Sequence, residues 1–417
     1  MILDRGDAAR LSVVIVAAAL LRAVWAAYAD PVPISDFATY RSMAESLRDT
    51  LSLPARAYRL PGLPAYLALF MLISKKAYWL MTATIVLNTA ITVPLYIFVL
   101  KVSGSRRAAF LGALLWAIQP NQVFFSGVLA SEHLFGLMVI SSFAVLVSIS
   151  MKTWLRTILS GLFIGIAALT RGQGGYYLPV IMVGMFIYST GNVRRRAFFS
   201  VSAGLATVLV MTPWIVRNRT ISDGQVTMSA LSGVSFYLRH SEDGPFWRDI
   251  TKTPIYGKSD AEINRIAFRE GIRFIKEQPL KDIMFTVQTT KALYTWSNYG
   301  LNWSTRIKGP PGAETKYTYK EVRFRKALEI MGSGAWLFTF ILGLSSLLFF
   351  RRLDRRGWVI IGFALFQNWF GNAVIFAAAS RYRFMAEIIF CALAGLALSR
   401  ILRKQGSKRL SAGGDTF

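Results

Sequence analysis

Apolar runs long enough to cross a bilayer, separated by short arginine and lysine clusters, recur along this chain and restrict its fold more than any other feature. The segments 11–28, 155–169 and 198–216 are three of them. Runs of this length cross hydrocarbon as helices, because a helix satisfies its own backbone hydrogen bonds where no water can. A membrane β-barrel would instead need short segments of alternating polarity, and the sequence has none. With 54% hydrophobic residues among 417 and a mean hydropathy of +0.42, the chain is too apolar for a soluble domain of this size. The expected class is an all-α polytopic membrane protein. A net charge of +26 would suggest nucleic acid in a soluble chain. Here most basic clusters lie between apolar runs, where the positive-inside rule accounts for them, so no nucleic acid partner is expected. Cys391 is the only cysteine and sits in an apolar run, which leaves no disulfide framework.

Hydropathy places about ten spans, near 11–29, 78–100, 108–125, 132–150, 157–170, 176–190, 197–216, 334–350, 357–378 and 384–402. This arrangement puts Lys101/Arg106/Arg107, Lys152/Arg156, Arg194/Arg195/Arg196 and Arg351/Arg352/Arg355/Arg356 on one face, together with both termini. That face is then cytoplasmic. The first segment resembles a signal peptide ending at Ala27-Tyr28-Ala29, but Arg22 and Trp25 interrupt it, so an uncleaved first span is expected. The segment 61–74, "PGLPAYLALFMLIS", is apolar but short and opens on prolines. Counted as a span it would invert the four downstream clusters, so it reads as a re-entrant or interfacial helix in the first outer loop. Two outer regions are long, 30–77 and 217–333. Within the second, 260–278 reads as an amphipathic helix capped by Ser259 or Asp260 and followed by Pro279. Trp296, Tyr299 and Trp303 fit an interfacial aromatic belt, and Gly309-Pro310-Pro311-Gly312 marks a loop. The polar tail after Arg403 reads as disordered.

Some charges lie on the wrong side of this scheme. Arg171 ends a span in "LTRG", Arg381 and Arg383 flank Tyr382 in "SRYRFM", Arg217 precedes Asn218 in "PWIVRNR", and Arg59 follows Tyr58 in "YRLPGLP". The acids among them are Asp36 in "PISDFATY" and Glu132 in "LASEHLF". Charges near hydrocarbon are costly, and function is the first explanation to test. The guanidinium fork fits phosphate oxygens, and the acids suit work as base, cation ligand or hydrogen-bond acceptor. A blander reading stays open at this level: arginines holding lipid headgroups, and acids beside Ser35 and Ser131 at helix caps. His133 and His240 read as packed or interfacial residues. Arg217 and Asn218 read as residues that satisfy helix ends.

In order, "SDFATY", "YRLPGLPAYLALF", "ASEHLF", "ALTRGQGGYYLPV", "TPWIVRNRTISDG", "EINRIAFREGIRFIKEQP" and "SRYRFM" resemble the bacterial GT-C glycosyltransferases, the broad group that includes aminoarabinose transferases acting on lipid A and protein O-mannosyltransferases. The resemblance runs from about residue 10 to 400. It implies a GT-C-like helix bundle with outer-face re-entrant and amphipathic helices and a modest periplasmic loop domain. The implied layout is an N-terminal membrane module (1–216) with a catalytic first outer loop (30–77), a periplasmic region (217–333), C-terminal membrane helices (334–402) and a cytoplasmic tail (403–417). The implied activity moves a sugar from a polyprenyl-phosphate donor to a lipid, glycan or protein acceptor, with inversion, at the outer face of a bacterial inner membrane. Asp36 matches the catalytic acid, with Glu132 as a second. Arg381 and Arg383 match residues that hold the donor phosphate, with Tyr58, Arg59, Arg171 and Tyr382 as further substrate contacts. The lipid A branch has an acidic-basic pair where this chain has Tyr58-Arg59, so a carboxylate that would help bind a metal is missing. No cofactor is therefore expected to be required, although a divalent metal stays possible. Two alternatives remain: a flippase or transporter of a lipid-linked sugar, and an O-antigen-ligase-like enzyme using a diphosphate-linked glycan.

Overall fold

The computed structural model describes residues 4–309, 317–348, 354–377 and 379–412, with side chains described up to 403. Eighteen α-helices are found among these residues. The first half holds α1 (Arg5–Ala29), α2 (Asp36–Thr50), α3 (Gly62–Met71), α4 (Ala77–Ala90), α5 (Thr92–Ser103), α6 (Arg106–Ile118), α7 (Pro120–Phe125), α8 (Ser131–Leu146) and α9 (Thr153–Thr170). The second half holds α10 (Leu178–Tyr188), α11 (Val193–Ile221), α12 (Ala230–Arg239), α13 (Asp260–Glu277), α14 (Pro279–Tyr294), α15 (Tyr299–Thr305), α16 (Arg325–Ser345), α17 (Arg355–Trp369) and α18 (Phe384–Ala412). One small hairpin pairs β1 (Arg306–Lys308) antiparallel with β2 (Tyr317–Tyr319). Of the expected Gly309-Pro310-Pro311-Gly312 loop, all but Gly309 lie outside the described residues, and so do Arg351 and Arg352.

Seven helices among the described residues are long and apolar enough to cross a membrane, so the chain is a helical membrane protein. They match seven of the ten expected spans. The other three are shorter, and each has a local cause. Span 108–125 breaks because Gln119 is extended before Pro120, which opens α7 instead of continuing α6. Span 132–150 ends as α8 at Leu146, whose carbonyl accepts from Arg156 Nη1 at 3.1 Å. Span 176–190 begins with a 3-10 turn, Gly172–Tyr177, and its helix closes at Tyr188, whose carbonyl also accepts from Arg156. Arg156, expected as a cytoplasmic charge, is thus a buried staple between two helix ends. The segment 61–74 forms α3, a helix of 10 residues that is too short to span.

Helix α18 runs through the middle of the bundle and is buried along most of its apolar length. A Cβ on Gly395 would lie 2.4 Å from the backbone nitrogen of Gly112, so α18 and α6 cross with their backbones in contact. In a bilayer no hydrophobic effect drives helices together, and close packing of small residues supplies the attraction instead. The helix continues past Arg403 to Ala412, where the sequence suggested a disordered tail.

The termini of four helices converge at one end of the bundle: the C-termini of α1 and α9 and the N-termini of α8 and α18. Arg5, Arg106, Arg156 and Arg403 belong to the opposite ends of these helices or their neighbours. Over the converging end lie α2 and α3, then α12 to α15. Helix α13 carries the expected cap as a full capping box, with Ser259 at the N-cap and Glu262 reaching back to the Ser259 backbone. Asp260 next to it accepts from Arg56 Nη2 at 2.8 Å and from the Ala57 backbone N–H at 2.7 Å, which ties this helix to the first loop.

Candidate active site

Asp36 is the first residue of α2. The chain reaches it through Ser35, whose φ of +55° is rare for a residue with a side chain and costs about 1–3 kcal/mol. Ser35 holds the N-cap position of α2 without a capping hydrogen bond, and Ala130, not Ser131, holds the N-cap position of α8, so neither serine caps a helix through its side chain. The turn at Ser35 instead places the Asp36 carboxylate at the start of α2, where the helix dipole favours an anion.

Two arginines meet this carboxylate from opposite ends of the chain. Arg59 Nη2 donates to Oδ1 at 2.7 Å, and Arg381 Nη2 donates to Oδ2 at 2.9 Å. A second acid shares Arg381: its Nε lies 3.4 Å from Glu132 Oε1, which also pairs with Arg171 Nη1 at 2.8 Å. Three guanidiniums therefore surround two carboxylates and leave one net positive charge. Arg171 also donates to Ser131 Oγ at 3.1 Å, and Tyr40 reaches the same hydroxyl at 3.4 Å. Aromatic faces hold the cations in place, Tyr382 under Arg171 at 4.9 Å and Trp303 under Arg381 at 4.8 Å. Burial works to raise the Asp36 carboxyl, but Arg59 and Arg381 outweigh it by charge and hydrogen bonding and hold the group at about 2.

These side chains line a solvent-open cleft of about 690 Å³ counted with its mouth. Asp36, expected as the catalytic acid, lines it together with Arg59, Arg171, Arg381 and Tyr382, four of the residues expected as substrate contacts. Glu132 stands behind them, almost fully buried, with its Oε2 lacking any hydrogen-bond partner among the described residues. Tyr58 is set behind Arg59, with its ring 5.3 Å from that guanidinium and its carbonyl accepting from Ser229 Oγ at 2.5 Å. Arg59 is brought to Arg171 by a close contact between α3 and the end of α9. A Cβ on Gly62 would lie 2.3 Å from Thr170 Oγ1.

Arg383 is elsewhere. It is fully buried and donates to Glu387 at 2.7 Å and to the carbonyls of Leu293, Thr295 and Ser297. One residue along a tight 3-10 turn (Ser380–Arg383) separates a cleft arginine from a core arginine, a distinction the motif "SRYRFM" does not carry. Glu387 also pairs with Gln122 and Tyr299, so Tyr299 is a core residue and not part of an interfacial belt. His133 sits between Asn88 and the Phe125 carbonyl. His240 joins Asp282 to the Ile375 carbonyl. Arg217 and Asn218 bond the backbone carbonyls of Pro54 and Met228. Sequence reasoning missed the opposite wall of the cleft, formed by Ser232, Ser235 and Trp247 with Tyr176 and Phe376. The spacing Ser229-x-x-Ser232-x-x-Ser235, one serine per turn of α12, was its only visible signal.

The fold family leaves a divalent metal possible, and the residues present do not fit one. Among the described residues no three of His, Cys, Asp and Glu converge. Both acids at the cleft already pair with guanidiniums, and a cation there would have to face three arginines.

No family model matches the chain, and no curated protein sequence matches it. Solved structures do. The archaeal oligosaccharyltransferase AglB from Archaeoglobus fulgidus, in complex with an inhibitory peptide and a dolichol-phosphate, aligns over 98% of this chain and 52% of its own, with a TM-score of 0.55 and 14% identity. Its apo form gives a TM-score of 0.57 at 15% identity over the same shares. Apo ArnT from Cupriavidus metallidurans aligns over 89% of this chain and 56% of its own, with a TM-score of 0.52 and 11% identity. The likeness is one of fold, and the GT-C fold expected from the ordered motifs is the fold this chain adopts. The chain spans about half the length of the structures it matches.

Proposed function

We propose that this chain is an inverting membrane glycosyltransferase that moves a sugar from a polyprenyl-phosphate donor to an acceptor hydroxyl at the outer face of a bacterial inner membrane. The observation that carries the reading is the Asp36 carboxylate clamped between Arg59 and Arg381 in an open cleft. A carboxylate held near pKa 2 is a weak base, so the resting clamp must open before it works. A phosphate entering the cleft competes for the same guanidiniums. Arg59 Nε is buried with no partner among the described residues and is a donor ready for a phosphate oxygen. As Arg59 and Arg381 turn to the phosphate, the Asp36 oxygens are released toward the acceptor. The acceptor O–H gives its proton to Asp36, and its oxygen attacks the anomeric carbon from the face opposite the phosphate. The bond from that carbon to the phosphate oxygen breaks, and polyprenyl phosphate leaves with its charge held by the arginines. Glu132 holds Arg171 throughout and remains the counter-charge beside Arg381 Nε as that guanidinium turns. Acceptor choice is assigned to 217–333, of which α12 and Trp247 line the cleft.

Reconstitution of the purified protein in vesicles, with a polyprenyl-phosphate sugar and envelope glycans as acceptor, tests this. Release of polyprenyl monophosphate together with a new glycosidic bond is expected. Movement of the intact donor across the bilayer without a new bond would make the chain a transporter, and release of a diphosphate would make it a ligase-type enzyme.

A further inference from the structure

The cleft has two chemically distinct walls. One carries every charge that reaches it, Asp36, Arg59, Arg171 and Arg381. The other, where α12 meets the 3-10 turn of Tyr176 and the segment of Phe376, has no carboxylate and no cation among the described residues. It presents the hydroxyls of Ser232 and Ser235, the indole of Trp247, and the rings of Tyr176 and Phe376 stacked at 6.0 Å and 18°.

The serines are the informative feature. Helical serines and threonines in this chain typically return their hydroxyl to the carbonyl one turn back. Ser103 does so to Val99, Ser160 to Arg156 and Thr207 to Ala203. Ser235 lies mid-helix, and its hydroxyl opens on the cleft with no hydrogen bond to the protein among the described residues. The Ser232 hydroxyl and the Trp247 indole N–H are likewise unbonded among them. Hydroxyls and an indole N–H left unbonded by the protein along one cleft wall are free to bond the polar groups of a ligand in exchange for water.

We infer that this wall is the subsite for the sugar of the donor, and that the sugar is uncharged. The inference rests on the transferase reading above. With the donor phosphate on Arg59 and Arg381, the sugar joined to it extends across the cleft to the opposite wall. There Ser232 and Ser235 bond ring hydroxyls, and the Trp247 face receives the weakly positive C–H edge of the ring. An ammonium group on the sugar would find no carboxylate among the described residues of this wall, and Asp36 and Glu132 across the cleft are both held by arginines. A carboxylate on the sugar would find no cation among the described residues there. Either charge would be desolvated without a partner.

Four donors on the same polyprenyl phosphate test this: a neutral hexose, a neutral pentose, an aminopentose and a uronic acid. One or both neutral sugars should be transferred, with kcat/KM at least ~100-fold above both charged ones. Ser232→Ala and Ser235→Ala should each lower kcat/KM for the neutral donor by about fivefold. Neither should change inhibition by polyprenyl phosphate without a sugar, which reads the arginine wall alone. Transfer led by a charged sugar overturns the inference while leaving the transferase reading intact. So does a serine effect confined to the KM of the acceptor, or one that shifts bare polyprenyl phosphate equally. Transfer of none of the four overturns the transferase reading, and this inference with it.

Discussion

Replacing Asp36 by Asn should move three measurements in different directions, because the same carboxylate restrains the arginines and serves as the base. Its pKa is held at about 2 against an ordinary 3.8, and each unit is worth about 1.36 kcal/mol, so the clamp contributes about 2 kcal/mol to the folded state at neutral pH. The group's folded pKa is depressed. Its contribution is therefore fully present above about pH 3.8 and is lost as pH falls through about 2. Asp36→Asn removes it at every pH, so the variant should be less stable than wild type by about 2 kcal/mol at pH 7 and lose this difference toward pH 2. Turnover should fall by at least ~100-fold through loss of the base. Affinity for bare polyprenyl phosphate should rise, by up to roughly 30-fold, because a phosphate no longer has to break the clamp. Thermal unfolding in detergent, donor turnover and competition with polyprenyl phosphate read the three effects. Near-normal turnover would remove Asp36 from the chemistry. Unchanged or weaker binding of polyprenyl phosphate would refute the idea that donor and carboxylate compete for the same guanidiniums.

Glu132→Gln leaves Arg171 and Arg381 without their buried counter-charge and should cost about 3–5 kcal/mol of stability, with KM for the donor moving more than kcat. Conservative Glu132→Asp should recover part of both, as a positioning role requires. Arg383→Gln breaks a fully buried pair with Glu387 and should destabilise by a similar ~3–5 kcal/mol, yet the surviving folded protein should bind polyprenyl phosphate normally; a large loss of that binding would return Arg383 to the cleft. Gly62→Ala forces a methyl to within 2.3 Å of Thr170 Oγ1 and should cost about 1–3 kcal/mol by thermal unfolding, with donor affinity weakened because Arg59 shifts with α3.

The sequence by itself determined the helical membrane class, which ends of the helices carry the basic clusters, and the short α3 as a helix that cannot span. Each rests on local properties: apolar length, charge distribution, and the two prolines at 61 and 64. The capping box at Ser259 and Glu262 was legible for the same reason, since a cap is formed within a few residues. Asp36, Arg59 and Arg381 stood out as charges that topology did not need. Their pairing did not, because residues 36 and 381 meet only when α2 and the turn before α18 close over the same end of the bundle. The tertiary structure alone separated Arg381 from Arg383, one in the cleft and one holding three carbonyls in the core, although the motif presents them as equals. It also turned Arg22 from an interruption of an apolar run into a buried donor to Asn88 and the carbonyls of α6. Hydropathy scores a charge by its cost in hydrocarbon. Whether that cost is offset depends on acceptors contributed by distant segments, and only the packed bundle brings them within hydrogen-bond reach.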